Sequence, residues 1–191
     1  MKRVRLLPLV GLITLIGISC HSDPTGPGSP PALIVELPRS LSQAELDLIE
    51  AGNAFALKLF REIDAQEAAN ANIFVSPLSV SMALGMTYNG AAGETQQAMA
   101  QTLEFQDLNL DEVNQGYRDL IDLLFELDPQ IEWQLANSIW YREGFSVEPS
   151  FLDVNRTFFD AQVEALDFNA PGAADVMNQW VSDGKIGRAH V

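Results

Sequence analysis

The chain has 191 residues, 26 of them acidic and 11 basic, for a formal net charge of −15. That balance excludes nucleic-acid binding, which needs a basic footprint, and it disfavours electrostatic docking to anionic lipid. A hydrophobic content of 47% is enough for the core of one ordinary domain.

Residues 1–20 read as a targeting segment. Lys2, Arg3 and Arg5 form a basic stretch ahead of an apolar run over residues 6–18. That run is too short to span a bilayer, which takes roughly 20 residues, and it suits a signal peptide. Gly17-Ile18-Ser19-Cys20 resembles a bacterial lipoprotein box, with Gly17 where leucine is usual. Two outcomes follow for Cys20: lipid modification as the anchor, or ordinary cleavage and secretion. Cys20 is the only cysteine, so no intramolecular disulfide is possible. Residues 21–40 open with a run of Ser, Asp, Thr, Pro and Gly that cannot bury enough surface to fold, and they read as a flexible tether.

The folded part is expected from residue 41. Residues 42–63 carry Ile49, Ala56, Phe60 and Ile63 at helical spacing, with Glu45, Asp47, Glu50, Lys58 and Arg61 expected outward. Ile73-Phe74-Val75 is a short β-prone run that predicts a buried strand. Ser76 then stands at an N-cap position with Pro77 at N1, a good helix start. Residues 78–86, which include Ser79, are almost all apolar or small, so the helix is expected to be buried all round. Asn89-Gly90 predicts a left-handed stop, and Gly93-Glu94-Thr95 a new helix with an acid in its first turn.

Asn109-Leu110-Asp111-Glu112 has the form of a capping box. It leads into Val113, Tyr117, Leu120, Ile121, Leu124 and Leu127 at helical spacing, while Asp111, Glu112, Asp119, Asp122 and Glu126 read as a solvated face. After Pro129, residues 131–141 alternate with period two, which predicts a long strand. Trp140 and Tyr141 within it read as packing residues. Pro149 opens a helix through Phe159. Residues 162–168 resemble a strand and residues 170–181 a helix. No internal repeat is present.

Catalytic chemistry finds little support. There is no G-x-S-x-G elbow around any serine. A serine nucleophile needs a base, and the two histidines are His21, in the tether, and His190, near the end. No Cys/His cluster, calcium loop or phosphate cradle occurs, so no metal or cofactor is expected.

The ordered pattern Ser76-Pro77 followed by Ser79, an apolar helix and Asn89-Gly90-Ala91-Ala92-Gly93-Glu94-Thr95 resembles the serpin family of protease inhibitors. Residues 135–144 and Asn178-Gln179-Trp180-Val181 are similar to serpin wording too, so the likeness runs over about residues 42–181. It implies an α+β fold in which helices pack on a large mixed sheet, with this chain as the N-terminal portion, a serpin domain over residues 41–184. It implies that residues 135–144 are a central strand of that sheet, beside the place where a reactive loop inserts. Ser76, Pro77 and Ser79 would lie at the gate where strands part. The partners implied are serine or cysteine proteases, trapped covalently through a reactive loop outside these residues; a non-inhibitory binding or structural module on a bacterial surface is the alternative. The implied location is extracytoplasmic, secreted or held to the membrane only by a lipid on Cys20. The last residues, 186–191, resemble one reading frame of a common sequencing adapter, so the native sequence is expected to end near Gly184 with residues 185–191 non-native.

Overall fold

The computed structural model describes residues 36–68, 71–128, 131 and 134–183. The leader, Cys20, the tether to residue 35, His21, Pro129, Trp133 and residues 184–191 with His190 lie outside the described residues. Six helices and two strands follow in the order α1 (Gln43–Gln66), α2 (Pro77–Tyr88), α3 (Gly93–Leu103), α4 (Leu110–Glu126), β1 (Asn137–Arg142), α5 (Pro149–Phe159), β2 (Ala161–Leu166) and α6 (Ala173–Asp183), counted among the described residues. The α+β class holds.

Two helices start as their sequences specify. At α1 the Ser42 hydroxyl accepts from the Glu45 amide and the Glu45 carboxylate accepts from the Ser42 amide; Asn109 and Glu112 do the same for α4. The buried face of α1, however, is Glu45, Leu48, Ala51 and Phe55. Phe60, expected inward, is 45% exposed, and Glu45, expected outward, is fully buried. The stripe is rotated because Glu45 gains a partner, Arg39, that periodicity cannot show. Arg39, placed by composition at the end of the tether, donates to both oxygens of Glu45 at 2.7 and 2.9 Å.

The core lies among α1, α2, α4 and α5. Four aromatic rings cross it in series: Tyr88 meets Phe105 at 5.7 Å between centroids, Phe105 meets Tyr117 at 6.3 Å, and Tyr117 meets Phe159 at 5.1 Å. Such contacts add about 0.5–1.5 kcal/mol per pair to the burial of the rings. Gly85 of α2 lets the series close. A Cβ there would sit 2.9 Å from Cε2 of Tyr117 and 3.3 Å from Cε1 of Phe159.

α2 is not buried all round: Ser81, Met82, Gly85, Met86 and Tyr88 face the core, while Leu78, Ser79, Ala83 and Thr87 are exposed. Its C-terminus also departs from the expected left-handed stop, since Asn89 is right-handed (φ −61°, ψ −22°). The turn is closed instead by the amides of Gly90 and Ala91 on the carbonyls of Thr87 and Tyr88.

β1 and β2 form a parallel pair in register from Asn137 opposite Ala161 to Arg142 opposite Leu166. A parallel pair needs a crossover, and α5 provides it. Of the strand expected over 131–141, residues 132 and 133 lie outside the described residues, and the described strand is Asn137–Arg142. β2 can begin only after Asp160, which turns the chain with φ 52°, so the ladder starts at Asn137 opposite Ala161. The second strand is Ala161–Leu166 rather than 162–168. The last helix starts at Ala173 and not at 170, because the chain turns first, with amides of Ala170 and Ala173 bonded three residues back. The strand expected at 73–75 is absent. Phe74 is wholly exposed, and among the described residues no strand lies beside it to pair with. Trp140 packs edge-on against Trp180 of α6, with centroids 6.3 Å apart.

Candidate functional site

Ser76 caps α2 in an extended conformation (φ −106°, ψ 93°), with Pro77 fixing the first turn. Its hydroxyl accepts from the Ser79 amide at 3.4 Å, and the two hydroxyl oxygens lie 2.8 Å apart. The chain therefore brings Ser76, Pro77 and Ser79 together on one exposed turn. Each hydroxyl can donate once and accept twice, so the pair keeps bonding capacity beyond its mutual contact.

The turn borders a cavity of about 310 Å³ whose other walls include Leu78, Met82, Ile121, Phe125, Gln134 and Leu135. Its lining joins the start of α2, the second half of α4 and the segment that enters β1. The serine turn is thereby placed beside the strand that the sequence pattern singled out. Cys20 and both histidines lie outside the described residues. Among the described residues no group of three or more metal-ligating side chains is found.

Two polar pairs that periodicity missed join α2 to α4. Tyr117, in α4, donates its phenol proton to Ser81 Oγ at 3.0 Å, and Ser81 donates in turn to the Leu78 carbonyl at 3.2 Å. Burial pushes the Tyr117 phenol up to about 12, against the opposing effect of its bond to Ser81. At the other end of α2, Asn89 and Asn114 exchange two amide hydrogen bonds, each 2.9 Å. A sequence signal existed for both. Ser81 interrupts an apolar run, and Asn114 stands three residues before Tyr117 on the inward face of α4.

The family model described as Serpin (serine protease inhibitor) matches residues 50–188. The chain belongs to the serpin family. Human Serpin I2 is 31% identical over 149 residues, covering 76% of this chain and 36% of its own length. An uncharacterized serpin-like protein of Methanosarcina acetivorans is 26% identical over 185 residues, covering 95% of this chain and 43% of its own. Corticosteroid-binding globulin of Oryctolagus cuniculus is 31% identical over 154 residues, covering 79% and 38%. Among solved structures, reactive-loop-cleaved human thyroxine binding globulin is similar with a TM-score of 0.66 and 28% identity, covering 74% of this chain and 43% of that one. The chain thus spans well under half the length of the serpins it matches. The N-terminal likeness read from residues 42–181 agrees with the matched span.

Proposed function

We propose that this serpin belongs to a protease inhibitor that works by loop insertion. An exposed reactive loop, outside the residues described, is attacked by a serine or cysteine protease. The enzyme's nucleophile forms an acyl bond to the loop as the peptide bond breaks and the amine side leaves. The loop then enters the large sheet as an added strand and carries the acylated protease with it. Ser76, Pro77 and Ser79 hold the gate beside β1 through which that strand passes. The observation that carries this reading is the family match over residues 50–188. It is supported by the two-stranded sheet, which among the described residues leaves one edge of β1 open to another strand.

The site of action is extracytoplasmic, with Cys20 as a lipid anchor and the tether expected over residues 21–40. No helix among the described residues is long and apolar enough to cross a membrane. A second reading, a non-inhibitory serpin-fold binding module, is favoured by relatives whose names mark them as hormone-binding globulins. Incubating the product of the complete open reading frame with trypsin-like and subtilisin-like proteases separates the two. Inhibition gives a covalent complex that survives denaturing electrophoresis; the binding module gives none and is either cut or left intact.

A further inference from the structure

From the two buried polar pairs we infer that α2 is a fixed post, keyed to α4 by Ser81–Tyr117 and Asn89–Asn114, and that these four side chains position the Ser76–Ser79 turn at the mouth of the cavity beside β1. The inference rests on the proposed inhibitory function and names positioning residues for it.

The geometry argues for keying rather than general packing. The two pairs are separated by eight residues on α2 but by three on α4. At 1.5 Å per residue that is about 12 Å along α2 and about 4.5 Å along α4. The helices therefore cross, and two bonds at separated points fix both rotation and sliding. Apolar contacts such as Met82 or Met86 are non-directional and tolerate a small shift of one helix on the other. Hydrogen bonds do not, because a displacement of about 1 Å takes a 2.9 Å bond out of range. Tyr117 and Asn114 are themselves buried, at 1% and 2% exposure, so water cannot replace a lost partner easily. From Ser81 the chain of bonds continues to the Leu78 carbonyl, within the turn that Ser76 caps. A strand that parts from α2 would thus move against a stationary helix end.

The test uses the product of the complete open reading frame carrying Tyr117→Phe together with Asn114→Ala. The readout is the fraction of protease encounters ending as covalent complex rather than as cut inhibitor. Leu103→Ala, in α3, serves as a control matched for loss of melting temperature. Keying predicts that the trapped fraction falls about fivefold or more in the double variant, which loses three hydrogen bonds where fivefold is the factor for one net bond, while the control keeps its trapped fraction. An equal fall in variant and control overturns the inference. If the unmodified protein traps no protease, the proposed function fails, and hydrogen exchange alone decides the keying. Faster exchange at residues 78–82 in the double variant than in the control supports it, and equal exchange overturns it.

Discussion

Arg39 and Glu45 form a two-pronged ion pair in which the carboxylate is fully buried and the guanidinium also donates to the Asp119 carbonyl at 2.8 Å. The pair thereby ties the segment entering the domain to the first turn of α1 through the carboxylate, and to the middle of α4 through the guanidinium. The Arg39 bond holds the Glu45 carboxyl below its usual range, against the cost of burial. A carboxyl with a lowered folded pKa contributes stability above its unfolded value, near 4.3, and that contribution is lost as pH falls through the folded value.

Glu45→Ala is therefore expected to lower the melting temperature at neutral pH. The capping bond alone is worth about 1 kcal/mol. The gap between variant and parent narrows as pH falls below about 4. Melting curves across an acid series check this; a gap independent of pH would count against the ion pair.

Tyr117 titrates at the other extreme. Its folded value of about 12 lies above the ordinary value of 10.0, so its contribution is present below pH 10 and is lost as pH rises toward 12. Tyr117→Phe is expected to cost about 1 kcal/mol at neutral pH and to make the protein less sensitive to alkali between these values. Phenolate absorbance followed alongside unfolding measures it.

Gly85→Ala sets two effects against each other. Alanine favours a helix by about 1 kcal/mol over glycine, but its Cβ would press on Tyr117 and Phe159. Overpacking of buried rings costs typically about 1–3 kcal/mol. Both rings are fully buried and hold each other in place, so overpacking wins, and chemical denaturation should show a net loss. A stabilised variant would mean that the rings yield freely.

Phe74 and Phe145 are exposed, and β1 has an open edge among the described residues. Such edges and apolar patches invite association. Produced as these 191 residues alone, the protein is expected to self-associate in light scattering. Phe74→Ser with Phe145→Ser should reduce the effect; an unchanged, monomeric parent would contradict it.

The parts legible in the sequence were those whose causes are local. Asn109 and Glu112 announce the start of α4 within four residues, and Ser76-Pro77 does the same for α2. What sequence reasoning missed depends on contacts distant in the chain. The face of α1 was misread because Glu45 looks solvated until Arg39 reaches it. Strands at 73–75 and ahead of Asn137 were expected from β-prone residues, yet a strand exists only where a neighbour offers a ladder. Asn89 was read as a turn residue, whereas its side chain is spent on Asn114. At the candidate site the serines could be found by pattern, but the cavity they border joins residues on α2, α4 and the approach to β1.

Loop insertion is tested most directly by comparing the melting temperature of the complete gene product before and after one cut in its reactive loop. A cleaved loop that joins the sheet beside β1 adds a strand's hydrogen bonds and burial, so the melting temperature should rise by about 10 °C or more. An unchanged or lower value after the cut would contradict insertion.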